Sequence, residues 1–547
     1  MNPIKLPKSH FNSVSPCSSV VKKILTISLL LFVKVAFAQS PAQEASESSF
    51  TSLSSNPTPF YIMVELRGRD LPDSVMKFYF WEYFIDASFK SLPPTVSEVK
   101  AEKGTIFSGN IGAEIYQYTS PPISNPALLH TFFGFDYLLK DLYIFPGDTV
   151  KLLVDRDNAR SYFIGKNSDT YQVQLDLARE NQKALKLQNP VMFGATVQSM
   201  TKEENSKKLY EKAVANQNND INKLIRFLGT KEDRQGYLNE IRIDLDGKVI
   251  PGYDILKTYK NTISEDQYEL FLAEQIGKAF YKPLNTLNRF LIDIEGDKDA
   301  FVNQIDTLGN LNFNSNLITY AYAYQNFLLE KASVLYRSGY KSILQSFDQY
   351  PLELREILAT RFLGKYFKSI SNPNEYLSYA MERATLPWTN EVLNQLSQSR
   401  AVGADFIGVN LPNHTGDHVS SADWEGKIVL IDFWFTGCKA CIDYYENCIK
   451  PAEEYFKDNP NVLFVSINSD RNQSIWLKSL ESERYTSKHA TNLFAGQEQG
   501  KELLTFYNIN SYPSQLLLDK EQKILRSGSF ARNPEALKEI IEEALNK

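Results

Sequence analysis

Two cysteines three residues apart follow an apolar, β-branched run, and this pattern constrains the chain more than any other. The run is Ile428 to Ile431, and the cysteines are Cys438 and Cys441. A Cys-X-X-Cys pair after a predicted strand is a candidate redox site. The spacing predicts that Cys438 begins the next helix, where unpaired backbone N–H groups and the helix dipole favour a thiolate. Cys441 lies one turn further on and can close a disulfide.

The size of the dipole effect limits how far the helix alone can lower the pKa of the Cys438 thiol. A helix N-terminus contributes roughly 0.3 to 1 kcal/mol, and one pKa unit is about 1.36 kcal/mol. The dipole therefore lowers the thiol pKa by about one unit, and a larger shift needs direct N–H to sulfur hydrogen bonds. Lys439 adds positive charge nearby. Half of a zinc site is the alternative interpretation, but zinc needs two more ligands and the sequence has no second cysteine pair.

The first 38 residues have the pattern of an export signal. Lys22 and Lys23 precede the apolar segment Ile24 to Val33, and Ala36-Phe37-Ala38 follows as a cleavage signal. The apolar segment is too short to span a bilayer comfortably, so we expect cleavage and no transmembrane span afterwards. An uncleaved anchor is the alternative. These features predict a protein of the periplasm or cell envelope.

Composition excludes nucleic acid as a partner. Residues 1–38 carry five lysines and no acid, so their removal leaves 54 basic and 65 acidic side chains, a net charge near −11. Such a chain lacks the positive charge that binding to phosphates requires. A hydrophobic content of 43% indicates a globular protein.

The mature chain would keep three cysteines, so its folding does not rest on a disulfide framework. Cys448 lies seven residues after Cys441, about 10.5 Å along a straight helix, which exceeds the roughly 7 Å limit between bridged Cα atoms. We expect Cys448 to be buried as packing. A third redox cysteine is the alternative, and it would require the helix to break near Pro451.

At 547 residues the chain is long enough for about three domains. Residues 39–57 are rich in Ser, Pro and Glu and predict a flexible linker. Residues 58–165 contain short alternating segments broken by Gly and Pro, which predict a β-sandwich domain. Leu142 to Phe145 and Val150 to Val154, joined by Pro-Gly-Asp, predict a hairpin.

Residues 166–400 show apolar residues at helical spacing and predict an α-helical region. Ile221 to Leu228 and Leu354 to Phe362 are examples. Residues 401–547 alternate between strand and helix signals, which predicts an α/β domain with helices on both faces of a sheet. The predicted elements are the strands Lys427 to Phe433 and Asn461 to Ile467, the helix Ser474 to Leu480, the hairpin of Ser514 to Leu518 with Lys523 to Arg526, and the helix Glu535 to Leu545.

The last quarter of the chain resembles the thioredoxin superfamily, and within it the exported TlpA/ResA-like thiol-disulfide oxidoreductases. The resemblance rests on several motifs at once. They are Asp405-Phe406, Trp424 to Leu430, Ile431-Asp432-Phe433-Trp434, Cys438-Lys439-Ala440-Cys441 and Asn510-Ser511-Tyr512-Pro513. The resemblance implies a C-terminal α/β thioredoxin-like domain over residues 401–547.

The resemblance also implies roles for single residues. Cys438 would be the exposed attacking thiolate and Cys441 the resolving thiol. Asp432 would be the buried carboxylate that exchanges a proton with Cys441; a strand-end acid satisfied by water is the alternative. Pro513 would be a cis-proline whose neighbour Tyr512 pairs with an extended substrate. The resemblance further implies that Trp434 and Lys439 bind substrate. It implies no cofactor or metal beyond the redox-active disulfide.

Together these features predict an exported thiol-disulfide oxidoreductase that exchanges a disulfide with partner proteins and an upstream electron donor of the envelope. Gly437 and Lys439-Ala440 depart from the common pattern and leave the direction of electron flow open. One alternative is a peroxiredoxin-like peroxidase, but its pattern needs Pro and Thr or Ser where this chain has Ile431 and Phe435. Another is a partner-binding envelope protein that recognises its partner through residues 58–400.

Overall fold

The computed structural model describes the chain from residue 56 onward, with interruptions. No helix in the described ranges is long and apolar enough to cross a membrane. The predicted signal peptide, residues 1–38, and almost all of the predicted linker, residues 39–57, lie outside those ranges. The described residues are 56–68, 75–86, 89, 92–107, 109–134, 136–187, 191–193, 196–201, 204–215, 226–240, 250–288, 298–367, 370, 372–528, 530 and 533–546.

Two packed sheets form the first part of the described chain, which confirms the predicted β-sandwich. The strands are β1 (Tyr61–Arg67), β2 (Val75–Trp81), β3 (Thr95–Lys100), β4 (Glu102–Lys103), β5 (Glu114–Thr119), β6 (Ala127–Phe133), β7 (Asp136–Ile144), β8 (Thr149–Asp155) and β9 (Arg160–Ile164). One sheet has the order β4-β5-β1-β8-β9 and the other β3-β2-β6-β7. Buried and less buried residues alternate along β2 because successive side chains point to opposite faces.

The turn at residues 146–148 links the two sheets, so the predicted hairpin is wrong. β7 pairs with β6, whereas β8 runs parallel to β1 and antiparallel to β9. Gly147 has a φ of 74°, which suits a tight reversal. Turn residues predict that the chain reverses, but they do not determine which strand pairs with which. That choice depends on the sheet in which each apolar face is buried.

Twelve helices follow in the described chain, which confirms the helical middle region. They are α1 (Ser168–Leu187), α2 (Val197–Met200), α3 (Glu204–Ala215), α4 (Lys231–Glu240), α5 (Tyr253–Thr258), α6 (Glu265–Asn288), α7 (Lys298–Thr307), α8 (Tyr322–Arg337), α9 (Ile343–Phe347), α10 (Leu352–Tyr366), α11 (Pro373–Arg383) and α12 (Pro387–Arg400). A 3-10 helix, Asn316–Tyr320, precedes α8. Helices α6 and α8 approach closely at Gly277, where an added Cβ would lie 2.1 Å from the backbone of Ala323.

One helical prediction in this region is wrong and another is confirmed. Arg226–Leu228 form a short strand, β11, which pairs in parallel with β10 (Val191–Phe193). Leu228 is therefore in a strand, and residues 216–225 lie outside the described ranges. Leu354 to Phe362 lie on α10, as predicted. An apolar spacing over a short segment fits either structure, and here pairing with a distant strand decides it.

The last part of the chain is a sheet with helices on both faces, as predicted, and the sheet has five strands. Its elements are β12 (Asn410–Pro412), β13 (His418–Ser420), the 3-10 helix Ser421–Trp424, β14 (Ile428–Trp434), α13 (Lys439–Tyr444), the π-helical turn Tyr445–Ile449, α14 (Lys450–Phe456), β15 (Val462–Asn468), α15 (Gln473–Glu481), β16 (Thr491–Phe494), α16 (Glu498–Phe506), β17 (Ser514–Leu518), β18 (Ile524–Gly528) and α17 (Pro534–Leu545). The sheet order is β16-β15-β14-β17-β18. β14, β15 and β16 are parallel, and β17 and β18 are antiparallel to their neighbours. The individual elements β16 and α16 were not predicted.

Successive side chains of β14 point to opposite faces of the sheet and pack in two different hydrophobic clusters. Val429, Ile431 and Phe433 pack in a cluster with residues of α16, whereas Ile428 and Leu430 pack with α14 and α17. All seven residues of β14 are buried because the strand is central and covered on both faces. This sheet carries the cysteine pair at the end of β14.

The sandwich and the helical region share one hydrophobic core, whereas the C-terminal sheet has clusters of its own. The Tyr143 hydroxyl of the sandwich donates to Glu274 Oε1 of α6 at 2.7 Å. At the end of α12 the hydroxyl of Ser527 donates to the Arg400 carbonyl at 3.1 Å. The C-terminal sheet thus contacts the helical region through a hydrogen bond at the end of α12. The predicted domain boundaries remain predictions.

Candidate functional site

A short turn leads from β14 to the cysteine helix and is held by the neighbouring loops. The Thr436 N–H and hydroxyl donate to the carboxylate of Asp470, at 3.1 and 2.6 Å. The Gly437 N–H donates to the Tyr485 hydroxyl at 2.8 Å. Gly437 has a φ of 93°, a conformation that favours glycine. These contacts fix the point at which the chain enters the helix.

Cys438 is the N-cap of α13, as the spacing predicted, and it forms a disulfide with Cys441. The Cα atoms of the two cysteines are 5.3 Å apart. The backbone N–H of Cys441 donates to the Cys438 sulfur at 3.1 Å. This N–H points at the Cys438 sulfur and can stabilise a negative charge there when the disulfide is open.

The predicted exposure of Cys438 is wrong for this disulfide form, because only 6% of the residue is exposed. Both cysteines belong to a cluster with Trp434, Trp476 and Tyr485. Aromatic side chains that close over the turn from α15 and the loop after it account for the burial. Little of either cysteine is therefore accessible to a partner in this form.

The cysteine helix is not a regular α-helix along its whole length. The π-helical turn Tyr445–Ile449 separates α13 from α14. Pro451 has no N–H, so it cannot bond to the carbonyl of Asn447 four residues earlier, and a local change of helix type accommodates this. Cys448 lies in the π-helical turn, 1% exposed, in the apolar cluster with α14 and α17. Its predicted role as buried packing is confirmed.

Asp432 is a buried carboxylate on the same face of β14 as the residues that pack against the cysteine helix. Gln515 Nε2 donates to its Oδ1 at 2.6 Å across the β14–β17 pair. Burial raises the pKa of Asp432 to about 7, while the hydrogen bond from Gln515 opposes the rise. The carboxyl borders a cavity of about 10 Å³ with Tyr445 and Glu453, which is about the space of one water molecule. Asp432 can therefore change protonation near neutral pH.

The family described as "Thioredoxin-like" matches residues 426–524. The thiol-disulfide oxidoreductase ResA of Bacillus thuringiensis subsp. konkukian is 24% identical over 144 residues, 25% of this chain and 78% of the relative. ResA of Geobacillus kaustophilus is 27% identical over 129 residues, 23% of this chain and 67% of the relative.

Residues 426–524 form a thioredoxin-like domain. The C-terminal quarter of the chain is thus a distant homologue of the ResA thiol-disulfide oxidoreductases. Solved structures similar to it include the thioredoxin domain of a thiol-disulfide oxidoreductase from Bacteroides vulgatus, 26% identical, covering 26% of this chain and 96% of that one, with a TM-score of 0.23. A structure of a thiol:disulfide interchange protein DsbE from Chlorobium tepidum is 26% identical. The match covers 27% of this chain and 99% of that one, with a TM-score of 0.24.

Trp434 packs in the same buried cluster as the two cysteines of the thioredoxin-like domain. It has no exposed surface, so its predicted direct contact with substrate is wrong for this conformation. Its indole N–H donates to the Ser466 hydroxyl at 2.7 Å, and its ring stacks on Tyr485 with centroids 4.6 Å apart. Trp434 is the last residue of the central strand β14, and it is buried because Tyr485 in the loop after α15 packs against it.

The Tyr512–Pro513 bond of the thioredoxin-like domain is cis, as the family resemblance implied. Tyr512 is half-buried, and its ring meets the exposed ring of Phe435 edge-on at 5.2 Å. Lys439 is exposed at the first position of α13. These three residues leave side-chain surface near the disulfide that a partner can contact.

Sequence reasoning missed several side chains that complete the site. Gln515 lies two residues after Pro513, and the register of a strand beside β14 could have placed it opposite Asp432. Tyr485 and Asp470 lie in loops with no motif, so the sequence carried no signal for them. His414 and His418 lie around the β12–β13 turn, and the described part of the chain holds no group of His, Cys, Asp and Glu suited to a metal ion.

Proposed function

We propose that this chain is an exported thiol-disulfide oxidoreductase that exchanges the Cys438–Cys441 pair with disulfides or thiols of partner proteins. The observation that carries the proposal is the position of Cys438 at the helix N-cap, with the Cys441 N–H 3.1 Å from its sulfur. That hydrogen bond and the dipole stabilise a sulfur anion at Cys438 when the disulfide is open. A stabilised thiolate is also a good leaving group in the reverse direction.

The exchange proceeds in two steps. The Cys438 thiolate attacks a partner disulfide, and a bond between Cys438 and the partner forms as the first partner thiolate leaves. Cys441 then gives up its proton and attacks the Cys438 sulfur, which releases the second partner thiolate and restores the intramolecular disulfide. Two electrons pass from the dithiol to the partner. In the opposite direction the partner dithiol is oxidised and Cys438–Cys441 is reduced.

Asp432 is proposed to hold the proton of the resolving step. A carboxyl with a pKa of about 7 can accept a proton from the Cys441 thiol at neutral pH and return it in the reverse reaction. Its burial on the face of β14 that packs against the cysteine helix supports this role. Gln515 positions the carboxyl through the 2.6 Å hydrogen bond.

Tyr512, Pro513 and Lys439 are proposed to contact the partner. An extended segment of the partner would run along the peptide backbone beside Pro513, which is a common mode of strand recognition. Lys439 adds positive charge at the mouth of the site, where it favours the thiolate and an acidic partner segment. Trp434 acts indirectly by packing beneath the disulfide.

The proposed place of action is the periplasm or cell envelope, where an upstream donor would return electrons to the pair. The support is the apolar segment Ile24 to Val33 and the Ala36-Phe37-Ala38 signal in the sequence. Mass spectrometry of the protein from fractionated cells tests this, and we expect an N-terminus at Gln39 in the envelope fraction. A chain that keeps residues 1–38 in the cytoplasmic fraction would contradict export.

Reduction of insulin by the full mature chain tests the exchange function. We expect turnover with dithiothreitol as donor, and loss of turnover to the background level in Cys438→Ser. Cys448→Ser is the matched control, because Cys448 is buried outside the disulfide, and it should keep its activity. Turnover that survives Cys438→Ser would remove Cys438 from the nucleophile role. The reduction potential of the pair, measured against glutathione, decides whether the chain donates or accepts electrons.

A further inference from the structure

A polar cavity of about 380 Å³ lies between the helical region and the thioredoxin-like domain. We call it the interdomain cavity. Its walls include Arg361 of α10, Arg400 at the end of α12, and Ser511 and Pro513 from the loop before β17. A volume of this size is in the usual range for pockets that bind small molecules. The residues that line it explain what kind of molecule fits.

Arg400 is a buried cation with few hydrogen-bond partners among the described residues. The residue is 4% exposed. Among the described residues its one side-chain hydrogen bond runs from Nη2 to the Tyr507 carbonyl at 3.4 Å, and its Nε has no partner. A guanidinium has five N–H donors. Burial lowers the pKa of Arg400 to about 10, and no charged group in the described part of the chain offsets that effect.

Arg361 is also buried, at 2% exposed, and its partners are neutral. Nη2 donates to the Ile85 carbonyl and to Asn326 Oδ1, both at 2.9 Å, and Nη1 donates to Gln325. Its Nε has no partner in the described chain. The guanidinium lies over the ring of Tyr322, 4.2 Å from the centroid. This side chain is well oriented, but its charge is not paired with a carboxylate within ion-pair distance among the described residues.

The charges around the interdomain cavity do not balance. Arg361, Lys365 and Arg400 line it, and Asp86 is the carboxylate that faces them. The lining residues thus carry an excess of positive charge. Glu274 also acts on Arg361, and Lys365 is exposed, so Arg400 is the buried cation that lacks a charged partner among the described residues. The C-terminal end of α12 offsets part of the Arg400 charge, by about half an elementary charge. This excess stands out because the whole chain has a net charge of −6.

An unpaired buried cation destabilises the folded chain unless another charge compensates it. Arg400, buried on one polar cavity with no charged partner among the described residues, indicates that an anion bound in the cavity supplies the compensating charge. We propose that the interdomain cavity binds a small dianion that carries carboxylate or phosphate groups, with Arg400 and Lys365 as its main contacts. The bound anion would lie against Ser511 and Pro513, next to the loop that carries the partner-binding surface of the redox site.

Binding is tested by calorimetry and thermal unfolding of the oxidised full chain, with inorganic phosphate and with citrate as separate probes. Potassium chloride keeps the ionic strength constant, so that screening does not change between samples. The variants are Arg400→Gln and Lys365→Gln. Arg383→Gln is the matched control, because that arginine is half-exposed on α11. Phosphate and citrate distinguish an inorganic phosphate ligand from a carboxylate ligand.

We expect one of the two probes to bind and to raise the midpoint of unfolding by roughly 2 to 3 °C at a hundredfold excess over its Kd. Arg400→Gln should weaken binding at least about tenfold, and Lys365→Gln should weaken it less. Arg383→Gln should bind as the unchanged chain does. Without added anion, Arg400→Gln should unfold at the same or a higher temperature, since it removes an uncompensated charge.

Three results would overturn the proposal. Equal anion effects in Arg400→Gln and in Arg383→Gln would make Arg400 a structural residue. The absence of binding by either probe to the unchanged chain would exclude a small anion. Binding of an oligoglutamate peptide that depends on Arg400, with no effect of phosphate or citrate, would assign the cavity to an acidic polypeptide instead. Lys365→Gln keeps the test informative if Arg400→Gln fails to fold, because Lys365 is more exposed.

The anion site and the redox function can fail independently. Cys438→Ser removes the nucleophile and leaves the cavity intact, so it should bind the anion with unchanged affinity. Loss of insulin reduction with intact anion binding would affect only the proposed function. Loss of anion binding with intact insulin reduction would contradict only the proposed anion site in the cavity.

Discussion

Replacement of Asp432 by Asn is expected to change how the stability of the thioredoxin-like domain depends on pH. Asn has nearly the same shape, stays neutral at every pH, and can still accept the hydrogen bond from Gln515 Nε2. In the folded chain the Asp432 carboxyl has a pKa raised to about 7, against a usual value of 3.8. Its contribution is therefore most favourable below pH 3.8 and is lost as the pH rises through about 7.

The magnitude follows from linkage. With the usual value as the unfolded pKa and about 7 as the folded pKa, ionisation of Asp432 reduces the free energy of unfolding by about 2 kcal/mol at pH 5 and by about 4 kcal/mol at pH 8. The Asn variant avoids this loss. Its stability relative to the unchanged chain should therefore rise by about 2 to 3 kcal/mol between pH 5 and pH 8.

Hydrogen exchange of the β14 and β15 amides, followed by mass spectrometry on the oxidised chain, reports the stability of this sheet separately from the rest. The two proteins are compared at each pH, so intrinsic exchange rates cancel. The ratio of protection should change roughly 30- to 150-fold between pH 5 and pH 8. Asp443→Asn, an exposed acid on α13, should change the ratio far less. A ratio for Asp432→Asn that is the same at both pH values would refute the buried, protonatable carboxyl.

Two substitutions around the disulfide test its support. Ser466→Ala leaves the buried indole N–H of Trp434 without its 2.7 Å partner and should lower the free energy of unfolding by about 1 to 3 kcal/mol; an unchanged urea midpoint would contradict this. Gly437→Ala places a side chain at a φ of 93° and should cost about 1 to 2 kcal/mol and slow insulin reduction. Gly416→Ala, at a φ of 91° in the β12–β13 turn, should cost a similar amount and leave the reaction rate unchanged; an equal loss of rate in both would show that the strain acts globally.

Local patterns were sufficient for much of the C-terminal domain. An apolar run followed by Cys-X-X-Cys predicted the buried strand β14, the helix and the N-cap position of Cys438, because each depends on neighbours within a few residues. The spacing between Cys441 and Cys448 predicted that the latter stays outside the disulfide. The cis bond at Pro513 came from family resemblance and not from the local sequence.

The sequence by itself determined the classes of the three regions and the cysteine pair. Only the tertiary structure decided which strands pair, as at the turn before β8, and what surrounds each site residue. The burial of Cys438 and Trp434, and the contact of Asp432 with Gln515, depend on side chains that lie tens of residues away. Such contacts arise when distant segments compete to bury apolar surface and to satisfy polar groups. A periodic pattern records which face of an element is apolar, but it does not record the partner that covers that face.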